Sequence, residues 1–204
     1  SSNEASDKVV ELVNAGVAPA SLFDAFRDAA GELLMRAPGI LSLHATTFTN
    51  AVHYAWQHCG DAETRKLLLL QNAAFLPLYR SDRQNREIGI DTLEPAPLKT
   101  SGSAALDEIF ADVSRDRLGA ARKVLAYLKD HPDPQAFATA ARRMIFLKGH
   151  DSHDYKFSSA VFEDWQTMAS PWRERFLAAS VFYLKGSGDA DNELAQRTRT
   201  ALSS

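Results

Sequence analysis

Residues His44–Val52 read HATTFTNAV and continue to Trp56. A similar stretch lies 109 positions further on, where His153–Val161 read HDYKFSSAV and continue to Trp165. The histidine, phenylalanine, hydroxyl residue, alanine, valine and tryptophan keep the same spacing. An internal repeat of this kind predicts a molecule built from two similar units, each with a histidine at the same place.

Capping residues and helix breakers mark the boundaries of helices along the rest of the chain. No stretch of alternating apolar and polar residues is long enough to predict a strand. We therefore predict an all-α fold, a helical bundle or array of two pseudo-duplicated units of about four helices each. Residues 1–81 would form the first unit and 114–204 the second, packed on the first as one compact domain. Residues 82–113 are rich in polar residues and helix breakers, which predicts a linker with one short helix from Ser103.

Several helix boundaries follow from capping residues. Ser21 with Asp24 resembles a capping box, Asp61 is a candidate N-cap, and Ser170-Pro171 is typical of a helix start. The run Leu67–Leu70 is apolar on every side, which predicts a central buried helix. The predicted helices span about 6–14, 21–36, 41–59, 62–80, 114–129, 134–149, 152–167 and 170–185, with a terminal helix after Asp189.

Composition limits the classes of partner. The 204 residues carry a net charge of −3 with no Lys/Arg run, which argues against nucleic acid, and no apolar stretch is long enough for a membrane span. The single cysteine, Cys59, excludes an intramolecular disulfide and multi-cysteine metal sites. The chain begins with Ser1, which indicates a processed product or a trimmed chain; cytoplasmic and exported locations, and membership of a larger protein or oligomer, stay open.

On a helical wheel, His44 and His153 share one stripe with the phenylalanine, alanine, valine and tryptophan of their repeats. This predicts that both histidines face the core near the start of their helices. If the units pack about a pseudo-twofold axis, the two imidazoles approach each other and form a site for a transition metal such as iron or zinc, or less favourably for haem. The alternative is a buried histidine bonded to a backbone carbonyl.

The two copies differ at one place. Where the first has Leu41, Ser42 and Ala45, the second has His150, Asp151 and Asp154, followed by Lys156. We predict His44, His150 and His153 as metal ligands, Asp154 as a catalytic base or orienting group, and Lys156 as a partner for an anionic small-molecule substrate. The alternative is that Asp151 caps the helix and Asp154 is an ordinary acid of its first turn.

These observations predict a metal-dependent or haem-binding helical enzyme with an internal histidine site between the two halves, oxidative or hydrolytic. The alternative is a non-catalytic helical module for ligand binding or protein interaction. In that case the function would lie in a surface groove or in residues 82–113.

Overall fold

The computed structural model describes residues 1–82, 84–169 and 172–203. Within these ranges it contains ten α-helices, two short 3-10 segments and no strand, so the all-α prediction is confirmed. No helix in these ranges combines the length and the apolar character that a membrane crossing would need. The helices are α1 Ser2–Asn14, α2 Pro19–Arg36, α3 Ile40–His58, α4 Ala62–Phe75, α5 Ser103–Val113, α6 Arg117–Asp130, α7 Gln135–Lys148, α8 Ser152–Thr167, α9 Trp172–Ala179 and α10 Glu193–Leu202, and the 3-10 segments are Leu76–Tyr79 and Ser180–Phe182.

Capping chemistry places several of these boundaries. Asp61 caps α4 as predicted, because its Oδ1 accepts a hydrogen bond of 2.7 Å from the backbone N–H of Thr64. Helix α1 starts four residues earlier than predicted, because Ser1 and Glu4 form a reciprocal capping box. The predicted opening of α9 at Ser170-Pro171 lies outside the described residues.

Two other helix starts differ from the prediction. Helix α2 begins at Pro19 rather than at Ser21, because proline already has the helical φ and needs no N–H in the first turn. Helix α6 is capped by Asp116 rather than opened by Ser114, since the Asp116 carboxylate accepts the N–H of Gly119 at 2.9 Å.

The prediction of a central buried helix at Leu67–Leu70 is wrong. Leu69 is buried, but Leu67 is 58% exposed, and the buried face of α4 is limited to Leu69, Asn72 and Ala73. Helix α4 packs on α1, α3 and, less extensively, α2, so it is a peripheral helix. The prediction failed because a run of four leucines does not show which of them has a neighbouring helix.

The apolar core consists of two clusters. The smaller is formed by α1 to α4, with Phe23 at its centre. The larger draws on α5 to α9 and also includes Leu34 and Leu43 from α2 and α3. Ile90 and Leu93, from the segment between α4 and α5, are buried in the larger cluster as well. The division into residues 1–81, 82–113 and 114–204 stays a prediction.

The helix pairings are similar in the two halves of the chain, but they are not symmetric. Helix α1 packs on α4 and α2 on α3, as α6 packs on α9 and α7 on α8. Helix α3 lies against α8, which joins the two copies of the repeated motif. Helix α2 also packs on α9, whereas no comparable contact joins its counterpart α7 to α4 in the described residues. The predicted pseudo-duplication is therefore not confirmed.

Candidate functional site

The two repeated histidines meet where α3 lies beside α8. His44 is in the second turn of α3, and His153 is the second residue of α8. Their ring centroids are 5.4 Å apart and the ring planes are nearly perpendicular, at 88°. The prediction that the two equivalent imidazoles approach each other is confirmed.

The prediction that His44 faces the core is wrong, because its side chain is exposed. The buried positions of α3 include Ala45, Thr49, Val52 and His53. At 100° per residue, the centre of that buried arc lies roughly 150° from His44. The apolar stripe predicted from sequence missed this face because half of the face is polar: Thr46, Thr49 and His53 are buried beside α2, α4 and α8.

For α8 the predicted stripe is largely correct. Phe157, Ala160 and Val161 are buried, and His153 lies at the edge of this face with its side chain 34% exposed. His153 Nδ1 is 3.3 Å from Asp151 Oδ1 without the geometry of a hydrogen bond. A carboxylate in this position can orient an imidazole.

Asp151 is the N-cap of α8. Its Oδ1 accepts the backbone N–H of His153 at 2.8 Å and that of Asp154 at 3.4 Å. These bonds, chiefly the one from His153, hold the pKa of the Asp151 carboxyl below its usual value. The carboxylate therefore stays ionised beside His153.

Asp154 is buried and engaged on both carboxylate oxygens. Oδ2 accepts the backbone N–H of His150 at 2.8 Å, and Oδ1 forms an ion pair of 3.0 Å with Lys185 Nζ. These contacts fix the connection before α8. The His150 side chain is exposed, and among the described residues no group of three or more His, Cys, Asp or Glu side chains is arranged to hold a metal ion.

A surface cleft lies between α3 and α8 beyond the histidine pair, and neither histidine lines it. It has a volume of about 410 Å³, and Lys156 lines it together with polar side chains of both helices. These include Thr47 and Asn50 from α3 and Ser159 and Glu163 from α8. We call this region the seam cleft. Lys156, the predicted substrate-binding residue, therefore lines this cleft, about one helical turn after His153 on α8.

A cluster of buried charges lies behind the far end of the seam cleft. Arg27 of α2, only 2% exposed, forms ion pairs with Asp164 of α8 at 3.0 Å and with Asp24 at 3.2 Å. Its Nη2 also lies 2.7 Å from His53 Nδ1, and Asn50 Nδ2 donates to Asp164 Oδ1 at 3.3 Å. We call Asp24, Arg27, Asn50, His53 and Asp164 the buried charge cluster. It joins α2, α3 and α8 to one another.

Burial sets the protonation of this cluster. Desolvation, followed by the Arg27 charge, lowers the pKa of His53 to about 4. Because Arg27 can only donate, His53 Nδ1 accepts and the ring is neutral. Desolvation raises the pKa of Asp164 to about 6 despite the neighbouring Arg27, and it raises that of Asp28, near Asp24 on α2, to about 7.

Sequence reasoning did not find the buried charge cluster. A helical wheel places His53 on a different face of α3 from His44, in agreement with the burial of the first and the exposure of the second. It gave no partner for His53, because Arg27 and Asp164 are far away in sequence and charged residues are normally exposed. The local signal in the sequence is the polar arc that Thr46, Thr49 and His53 form on one face of α3.

The comparisons with known proteins do not add a functional assignment. The chain matches no protein family, no curated protein and no solved structure. The geometry of the seam between α3 and α8 is therefore the basis on which a function can be proposed.

Proposed function

We propose that this protein is a metal-dependent enzyme whose site is the seam cleft, with His44 and His153 as ligands of a transition metal ion such as zinc or iron. The observation that supports this proposal is the 5.4 Å separation of the two imidazole centroids. Two imidazoles that bind one tetrahedral ion at about 2 Å have ring centres roughly 5 Å apart. The backbone thus needs little adjustment for both rings to reach one ion.

The neighbouring groups favour ligation by His153. The ionised Asp151 carboxylate lies 3.3 Å from one ring nitrogen, which leaves the other nitrogen for an ion. The His44 side chain is exposed and can rotate toward the same point. A bare ion is favoured over haem, because the two rings are in edge-to-face contact and leave no flat slot for a porphyrin between them.

Two protein ligands leave several coordination positions open. An ion held in this way supplies a Lewis acid, or an activated water, at the end of the seam cleft. Lys156 on the cleft wall would neutralise an anionic group of a small substrate, while Asn50 and Glu163, joined by a hydrogen bond of 3.4 Å, form the wall further along. Asp154 takes a positioning role in this proposal, because Lys185 and the His150 N–H engage its oxygens.

The direct test is the metal content of the purified protein after dialysis and reloading with Zn²⁺ or Fe²⁺. We expect about one equivalent in the native chain and a loss of at least tenfold in affinity in His44→Ala and in His153→Ala, since each change removes half of the protein ligands. His58→Ala is the matched control, because His58 is an exposed histidine at the end of the same helix whose Nδ1 lies against its own helix, 2.8 Å from the Tyr54 carbonyl.

The result that would overturn the proposal is equally clear. If the native chain binds no metal above the level of the two variants, the histidine pair is not a metal site. The function would then be sought in the non-catalytic alternative, a helical module for ligand binding or protein interaction.

A further inference from the structure

A second concave site lies between α1 and α2, away from the seam cleft. Both helices rest on α4 and on the 3-10 segment Leu76–Tyr79, yet α1 and α2 do not pack closely against each other. A groove of about 310 Å³ remains between them. This volume lies at the lower end of the range for small-molecule sites in proteins.

The groove is apolar inside and has small side chains on its walls. Ala5 of α1 and Ala25 and Ala29 of α2 leave the space open, where larger residues would fill it. The remaining apolar lining comes from α1, α2, α4 and the 3-10 segment. Val9, Phe26 and Leu33 form an apolar strip along the groove, and Leu76 closes it from the 3-10 segment.

The charged residues of the groove are mostly cationic. Lys8, Arg36 and Arg80 line it together with Glu32, and Lys8 forms an ion pair of 2.7 Å with the nearby Glu11. Glu32 is already neutralised, because one oxygen pairs with Arg36 at 2.9 Å and the other accepts the backbone N–H of Ile90 at 3.0 Å. Arg80 is exposed at the end of the 3-10 segment, where it can meet a solvent-borne anion.

We propose that this groove binds a single acyl chain that ends in a carboxylate, such as a medium-chain fatty acid. The hydrocarbon would lie between α1 and α2 along Val9, Phe26 and Leu33, and the carboxylate would meet Arg80, because Arg36 is already engaged by Glu32 and by the Ile88 carbonyl. An apolar channel favours the hydrocarbon by removing it from water, and the cationic lining selects an anionic end. This site is independent of the proposed metal site.

The experiment measures decanoate binding to the full chain by calorimetry and by the shift of the melting temperature, at concentrations below micelle formation. We expect saturable one-to-one binding of decanoate, weaker binding of decanol, which lacks the charge, and no binding of acetate, which lacks the chain. Filling the groove with Ala29→Leu should abolish binding. Ala51→Leu, at another exposed helical alanine, should leave it unchanged, and circular dichroism verifies that both variants are folded.

A second variant tests the charge. Arg80→Gln should weaken decanoate binding about fivefold or more while changing decanol binding little, since only the charged ligand uses the guanidinium. Arg197→Gln, an exposed arginine of α10, is the control and should have no effect. Equal loss for both ligands in Arg80→Gln would contradict the carboxylate position.

The source of the acyl chain is tested with vesicles. Free decanoate should bind, and vesicles of anionic phospholipid should not retain the protein at physiological salt. The groove is not a fatty-acid site, and the proposal fails, if the protein binds vesicles but not free decanoate. The proposal also fails if decanoate binds the Ala29→Leu variant as well as it binds the native protein.

Discussion

Helices α3 and α8 meet at two histidine-containing places that differ in almost every physical respect. Near the start of both helices, the exposed His44 contacts the half-buried His153. Further along, the buried His53 accepts from Arg27, which also pairs with Asp164. At the first place, no hydrogen bond engages His153 Nδ1 within the described residues, whereas the second place has its charged groups paired within the protein.

The contrast separates stability from function along one interface. Breaking a buried ion pair leaves a charge in a medium that solvates it poorly, and so costs several kcal/mol. An exposed histidine without a protein partner contributes little to folding. We therefore expect the buried charge cluster to hold the three helices in register, and the histidine pair to be free for binding.

The largest expected effect comes from Asp164→Ala. This change leaves the guanidinium of Arg27 buried with Asp24 as its remaining close ion-pair partner, and it should lower the free energy of unfolding by about 3 kcal/mol at pH 7. The measurement is urea denaturation followed by circular dichroism. Glu163→Ala, the exposed neighbour, is the control and should cost less than about 0.5 kcal/mol. Similar losses in both variants would show that the cluster does not stabilise the seam.

An intermediate effect of opposite sign is expected from Asp28→Asn. Burial raises the pKa of Asp28 to about 7, and its Oδ1 is buried without a hydrogen-bond partner. The folded state therefore holds this proton more tightly than the unfolded chain, so ionisation of Asp28 destabilises the fold as the pH rises from about 4 to 7. Asn cannot ionise. The variant should be more stable than the native chain by about 1 kcal/mol at pH 8, after allowance for solvent screening.

The pH dependence of that difference is the check. Urea denaturation at pH 4 and pH 8 should give nearly equal stabilities at pH 4 and a gain for Asp28→Asn at pH 8. Asp107→Asn, at an exposed position of α5, should show no such difference. A variant that is less stable than the native chain at pH 8 would mean that the Asp28 charge is favourable in the fold.

The smallest effect is expected from His44→Ala in the metal-free protein. The side chain is exposed, and its ring contact with His153 is the only interaction seen for it in the described residues. Urea denaturation should therefore give a change within about 0.5 kcal/mol. A loss of more than 2 kcal/mol would contradict the contrast between the two places, because His44 would then be a structural residue.

The sequence predicted the class of fold and many helix ends because these depend on local chemistry. Asp61 caps a helix by bonding to a residue three positions away, and Asp151 caps α8 in the same manner. The repeat also indicated the contact between His44 and His153, although local helix chemistry says nothing about contacts between residues so far apart in the sequence. The repeated motif supplied that information, although the pseudo-duplication is not confirmed: α2 packs on α9, and no comparable contact joins α7 to α4 in the described residues.

The failures concern which side of a helix is covered. His44 was assigned to the core because α3 has apolar residues on its side, but the helix buries Thr46, Thr49 and His53 instead. Burial of those polar groups depends on partners from distant parts of the chain, as when Asn72 Oδ1 of α4 accepts from Thr49 at 3.3 Å. From a single sequence these distant partners are not visible, so nothing indicates that the polar side of α3 is the buried one.

X-ray absorption spectroscopy of the zinc-loaded protein measures directly whether His44 and His153 bind one ion. We expect two histidine ligands at about 2 Å, with water or other oxygen ligands completing the shell, and the loss of one histidine contribution in His44→Ala. A shell without histidine, or a spectrum that is unchanged in His44→Ala, would contradict the assignment of the α3–α8 seam as a metal site.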